Sequence, residues 1–222
     1  MRHTILFLAG FLFASSAPAI AAASPTLYQG YEFGMSRAEV MKYPGVYDCS
    51  EEFEKGALCL QDQKFIDEDV DMGFRFIDNK LITVILFSVY TEENYMQFMG
   101  ALNSKFQMVT MESGDKKFDF IIQLKKYKRS QFMKNITDFE QQALASGNIK
   151  YTFIEKESFN TLIASSDNAV EMMIKADPDM RAVEYAVSEI DEATIVGLIQ
   201  FSTPKQSMQL MHKKSKQKYE FF

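Results

Sequence analysis

The pair Cys49 and Cys59 constrains this 222-residue chain most, because of the segment that precedes it. Met1-Arg2-His3 is a short basic start, Thr4 to Ala14 is almost wholly apolar, and Ser15 to Ala23 is rich in small residues. Both Ala19-Ile20-Ala21 and Ala21-Ala22-Ala23 fit the small-x-small cleavage rule, and the apolar stretch is too short to cross a bilayer. Residues 1–23 therefore predict a secretory signal peptide, with no Cys at the cleavage site to take a lipid anchor. Export delivers both cysteines to an oxidising compartment, where an even count at close spacing predicts a disulfide clamping one loop or hairpin. The competing reading is two free thiols or half of a metal site; it lacks a nearby His and a second Cys pair. The expected location is periplasmic or secreted, with no transmembrane span.

The rest of the chain alternates between two periodicities. Tyr31–Phe33 reads as a short strand, and Ser36 with Glu39 forms an S-x-x-E capping box that opens a helix ending before Pro44-Gly45. Ala57–Phe65, Gly73–Ile77 and Leu81–Tyr90 alternate as strands, the last two joined by a hairpin turn at Asp78-Asn79-Lys80. Thr91 with Glu92 and Glu93 starts a second helix, striped by Tyr95, Met99, Leu102 and Phe106. Gln107–Met111 and Lys117–Leu124 read as strands. A helix over 130–146 carries Phe132, Ile136, Phe139 and Ala143 and stops at Gly147-Asn148. Ile149–Ile154 is a strand, 158–175 is helical with a break near Ser165-Ser166, and 181–190 with 193–203 form a closing hairpin. These elements predict an α+β fold, an antiparallel sheet packed against several helices. No Gly-, Ser- or Pro-rich linker divides 24–204, so one domain is expected there, followed by a basic tail over 205–222.

Charge separates the two. The tail holds Lys205, Lys213, Lys214, Lys216 and Lys218 against one acid, Glu220, a net of +4. With Arg2 in the leader, the chain's formal −6 leaves −11 on residues 24–204. An acidic body argues against a nucleic-acid binder. Lys213, Lys214, Lys216 and Lys218 are the candidate partner-binding residues, for an acidic protein surface or, by peripheral contact, anionic lipid.

Catalytic constellations have little material. Beyond the leader His212 is the one histidine, so a Ser-His-Asp or Cys-His site would need the tail to fold back. There is no Gly-rich phosphate loop and no H-E-x-x-H, and no cofactor is implied. No catalytic residue is assigned. Asp67, Asp69, Asp71 and Asp78 fall at positions one, three, five and twelve of a calcium-loop window. However, Met72 stands where the turn glycine belongs, Asp78 replaces the bidentate Glu, and the flanks read as strands. A solvated inter-strand loop is the expectation for that run, and no metal is assigned.

The stretch Phe33-Gly34-Met35-Ser36 through Glu39-Val40, followed by Leu58-Cys59-Leu60, Gly73–Ile77 and Leu81–Phe87, resembles a known module. It is similar to the helix-plus-sheet repeat of the β-lactamase-inhibitor protein and the BamE-type envelope assembly lipoproteins, over about residues 27–90. The chain departs from those families in lacking a lipid-anchor Cys and a second G-M-S turn after residue 90. The resemblance implies protein contact through a sheet face and loops, without catalysis.

The functional expectation is a non-enzymatic, exported binding protein, an adaptor or inhibitor of another envelope or secreted protein. The alternatives are a periplasmic small-molecule or lipid-binding protein with an apolar pocket between helices and sheet, and a hydrolase using carboxylates or Ser–Lys chemistry.

Overall fold

Local signals set the first elements. In the computed structural model, which describes residues 24–191 and 194–219 with side chains through His212, Ser36 and Glu39 form the expected capping box. The Ser36 side chain accepts from the Glu39 backbone N–H, and the Ser36 N–H donates to the Glu39 carboxylate at 2.8 Å. This box opens α1 (Arg37–Val40), which follows the small ladder of β1 (Thr26–Tyr28) and β2 (Tyr31–Glu32). Thr91 caps α2 (Glu92–Lys105) in the same reciprocal way, with Asn94 rather than Glu answering it. The predicted signal peptide, residues 1–23, lies outside the described residues.

One nine-stranded antiparallel sheet organises the chain. Its strands are β3 (Tyr47–Asp48), β4 (Leu58–Phe65), β5 (Glu68–Ile77), β6 (Lys80–Val89), β7 (Phe106–Ser113), β8 (Lys116–Asp119), β9 (Asn148–Glu155), β10 (Ala182–Asp191) and β11 (Thr194–Ser202). Their spatial order is β3-β4-β5-β6-β11-β10-β9-β7-β8, so the last strand in the chain lies at the middle. The β5–β6 hairpin turns at Asp78 and Asn79, both at positive φ (48° and 62°), the backbone that a two-residue hairpin loop requires and that Asp and Asn tolerate. The α+β expectation holds, as does the disulfide: Cys49 and Cys59 are bonded, with Cα atoms 5.7 Å apart.

Helices pack on both faces of the sheet, covering one face broadly and the other in part. Phe98 and Leu102 of α2 reach Tyr185, Phe153, Phe74 and Leu86 in the main core, joined by α1 through Val40 and by α4 (Arg129–Ala145) through Ala143 and the flanking Phe132, Ile136 and Phe139. On the other face a smaller core lies beneath α5 (Lys156–Leu162) and α6 (Ala169–Lys175). Ala169, Met172 and Ala176 meet Val109, Ile154 and Ala182 there. The helical break expected near Ser165-Ser166 is present between α5 and α6.

Two expectations are corrected, and one point that the sequence left open is filled in. Lys117–Leu124 is not one strand: β8 stops at Asp119, whose carboxylate accepts from the N–H groups of Ile121 and Ile122 and opens α3 (Phe120–Lys126). That cap outweighs the alternation of Phe118, Phe120 and Ile122. The acidic run is not a loop either. Val70 and Met72 point into the core while Asp69 and Asp71 face solvent, so β5 begins at Glu68. The basic stretch after 204, whose order the sequence left open, begins as a helix. Pro204 opens α7 (Pro204–Tyr219), Ser207 is buried, Leu210 packs against the main core, and Lys205 donates to the Ala176 carbonyl at 2.9 Å. Among the described residues no helix is long and apolar enough to cross a membrane.

Candidate functional site

Alternation in the central strands divides each into an inward and an outward set. On β10, Val183, Tyr185 and Val187 are buried, whereas Glu184, Ala186 and Ser188 are partly exposed. On β11, Gly197, Ile199 and Phe201 are buried, whereas Val196, Leu198, Gln200 and Ser202 are partly exposed. The period of two places each outward set on the face opposite the main core.

The register assembles these sets into rows across the sheet. One runs Asp71, Phe87, Leu198, Ala186, Lys150, Glu112 and Lys117 through successive pairs. The row beside it runs Gly73, Ile85, Gln200, Glu184 and Thr152. Phe87, Leu198 and Ala186, each partly exposed, thus make an apolar centre, with Ile85 buried beside them. Beside it Lys150 Nζ lies 2.8 Å from Glu112 and 3.5 Å from Glu184, and Lys117 lies 2.9 Å from Glu112.

The disulfide loop bounds the other side. Phe53 sits edge-on to Phe87 at 5.0 Å, and Glu54 holds Arg75 by paired bonds of 2.6 and 2.9 Å. Gly73 makes room for that ring: a Cβ there would stand 2.9 Å from Phe87 Cε2 and 3.2 Å from Phe53 Cε1. Above the rows, Arg75, Thr83, Glu184, Gln200, Ser202 and Met211 line a crevice of about 320 Å³, with α7 forming its upper wall.

The electrostatics favour fixed charges over proton transfer. Burial pushes the Glu112 carboxyl upward, but hydrogen bonds and charge from Lys150 and Lys117 outweigh it and hold the group below its usual range. Burial lowers Lys150, and its contacts with Glu112 and Glu184 outweigh that and raise it. Glu39, Asp48 and Glu171 are held low as well, chiefly by hydrogen bonds from Ser36, Ser50 and Lys175 respectively. A catalytic acid at neutral pH needs the opposite, a carboxyl held high. The arrangement suits recognition: an apolar patch framed by charges already locked in pairs.

The candidates read from the sequence fall elsewhere. Asp67, Asp69, Asp71 and Asp78 are not brought together. Asp67 and Asp78 flank the ten-residue β5, roughly 30 Å of extended chain. Asp69 pairs with Lys64 at 2.6 Å, and Asp71 accepts from the Asp62 N–H. Among the described residues no cluster of acids, His and Cys is placed to hold a metal. Lys213, Lys214, Lys216 and Lys218 lie on the backbone of α7, their side chains outside the described residues. A second basic stretch, Lys125-Lys126-Tyr127-Lys128-Arg129, is partly taken up by the fold: Lys125 pairs with Asp167 at 3.0 Å and bonds the Ser166 carbonyl at 2.7 Å. Of the predicted site residues, Asp71 begins the outward row and Cys49 and Cys59 border the open face.

Sequence reasoning missed the face itself. Its signal was present in 183–188, where apolar and polar residues alternate, but Glu184 pairs with Thr152 and Leu198 with Phe87, residues far away in the sequence. Comparison with protein-family models, curated proteins and solved structures returns no match.

Proposed function

We propose that this chain is an exported, non-enzymatic binding protein that holds another envelope or secreted protein against the open face of its sheet. The observation that carries the reading is the row Phe87, Leu198, Ala186 and Lys150. Its partly exposed apolar members, Phe87, Leu198 and Ala186, lie between the disulfide loop and the Lys150–Glu112–Lys117 ladder. Exposed apolar patches rimmed by polar groups mark interaction sites. The centre supplies the dry contact that dominates binding energy, and charges already paired at the rim cost a partner little to desolvate. The partner of matching chemistry is a folded protein presenting an aromatic or aliphatic side chain. It would seat beside Leu198, with the 320 Å³ crevice taking a second side chain.

Two further features support the reading. A disulfide, together with the lack among the described residues of a membrane-crossing helix, fits a periplasmic or extracellular protein. The leader expected over residues 1–23 fits the same location. The likeness of residues 27–90 to the β-lactamase-inhibitor and BamE-type module points to the same mode of action, contact through a sheet face.

The test places a photo-reactive amino acid at Leu198, or at Met96 on the opposite side of the sheet, in the full-length exported protein. Met96 is 68% exposed on α2. One protein is expected to cross-link from position 198 and not from 96. Purified, it should bind the wild type and Met96→Glu alike and Leu198→Glu at least tenfold more weakly. Capture of the same protein from both positions, or unchanged binding by Leu198→Glu, refutes the assignment of the face.

A further inference from the structure

A second site lies on the other side of the sheet, where the end of α2 meets β1. Leu27, Tyr28, Phe65, Leu102, Phe106 and Phe201 wall a crevice of about 280 Å³. Tyr28 stacks on Phe201 with ring centroids 4.9 Å apart and stands 6.2 Å from Phe65, so two sides of the crevice are flat aromatic surface. Burial pushes the Tyr28 phenol up to about 12, as an apolar wall requires.

The mouth is cationic, although the chain as a whole carries a formal −6. Lys105 and Arg181 line it, and outside the lining Lys156 donates to the carbonyl of Ser104 at 3.1 Å. Arg181 is fixed in place. Its Nε donates to Glu155 at 2.7 Å, an Nη donates to the Thr26 carbonyl at 3.3 Å, and its guanidinium lies 5.7 Å from the Phe106 ring centre. Glu155 is thereby committed, and no ion pair within the described residues occupies Lys105. Lys105, with Arg181 held beside it, at the mouth of an aromatic slot is complementary to a molecule with one anionic end and an apolar body.

We propose that this crevice binds a small amphipathic monocarboxylate. The carboxylate would meet Lys105 and Arg181, and the hydrocarbon would lie between Tyr28, Phe106 and Phe201. The volume sits just under the roughly 300 Å³ at which pockets for drug-sized ligands begin, so the body has on the order of ten non-hydrogen atoms. Octanoate and 3-phenylpropionate are probes of that size, one aliphatic and one aromatic. This site shares no residue with the open sheet face and stands or falls independently of it.

The experiment titrates the full-length processed protein with octanoate, phenylpropionate and octylammonium, following methyl and aromatic NMR signals. At least one carboxylate is expected to saturate with shifts centred on Leu27, Leu102 and Phe201, and which one does so fixes the tail. Octylammonium, with the same tail and the opposite head, should bind at least tenfold more weakly. Lys105→Gln should weaken the carboxylate about threefold, the size of effect expected for a solvent-facing charge. Ala101→Trp, which fills the crevice from α2, should abolish binding while the protein melts as a folded domain. If the tryptophan variant fails to fold, Ala101→Leu serves in its place and should weaken binding in proportion to the filled space. Absence of saturable binding by either carboxylate, equal binding of octylammonium, or full binding by the filled variant overturns the proposal.

Discussion

Replacing both cysteines by alanine removes the covalent clamp on the loop that borders the open face. The bond closes a loop with a sequence separation of 10. Releasing a loop of that length returns conformational entropy to the unfolded chain worth about 2.7 kcal/mol at 25 °C. The folded state keeps other anchors for the same segment: Phe53 on Phe87 at 5.0 Å and Glu54 on Arg75 at 2.6 Å. The variant Cys49→Ala/Cys59→Ala should therefore fold, with its midpoint lowered by about 5–11 °C, the range expected for a chain of this size. Urea unfolding followed by far-ultraviolet circular dichroism is the assay. It should show a lower midpoint together with a steeper slope, because the unlinked denatured chain exposes more surface. Wild-type protein in reductant must superimpose on the double variant. A loss under about 1 kcal/mol, or reduced wild type that behaves differently from the variant, would show that loop closure is not the source of the stability.

Three other outcomes follow from groups already described. Tyr31, Tyr90, Tyr95, Tyr151 and Tyr185 are pushed upward chiefly by burial, as Tyr28 is. Folded values above the ordinary 10 mean that the neutral phenols stabilise the fold fully below pH 10, and that this stability is lost as pH rises toward 12 and beyond. With ten Tyr and no Trp, absorbance at 295 nm should rise as one cooperative unfolding step for these residues, and gradual independent ionisation would contradict their burial. Gly73→Ala drives a methyl into Phe87 and Phe53 and should cost about 1–3 kcal/mol. It should also speed hydrogen exchange in residues 50–57 relative to the rest of the chain. Asp119→Ala removes an acceptor that serves Ile121, Ile122 and, across 50 residues, Ala169 at 2.8 Å, so both α3 and α6 lose support. A loss of about 2–3 kcal/mol in urea is expected, and a loss under 0.5 kcal/mol would contradict the geometry.

What could be read from the sequence was governed by how local its cause was. The Ser36–Glu39 box, the Asp78-Asn79 hairpin and the Gly147 stop each depend on three or four adjacent residues, and each appears where expected. The error at 117–124 arose from two local rules in conflict. Alternating Phe118, Phe120 and Ile122 favour a strand, while Asp119 caps the first turn of a helix, and in the folded chain the cap wins. The acidic run misled because charge was read as loop, although Val70 and Met72 between the acids carry the strand's buried face. The open face and the crevice were illegible for a different reason. Phe87, Leu198 and Lys150 become neighbours only through a register that no short window contains, as do Tyr28 and Phe201.

The position of β11 bears on how the protein comes into being. β6 and β10 each pair with it, so every hydrogen bond joining the 47–89 half of the sheet to the 106–191 half passes through residues 194–202. Chain synthesis delivers that strand last. Until it arrives, the edges of β6 and β10 are unpaired templates for the wrong strand. A nascent chain of this design cannot join its two half-sheets until residues 194–202 have been made. A message truncated before codon 194 would yield two sticky half-sheets rather than a smaller working protein.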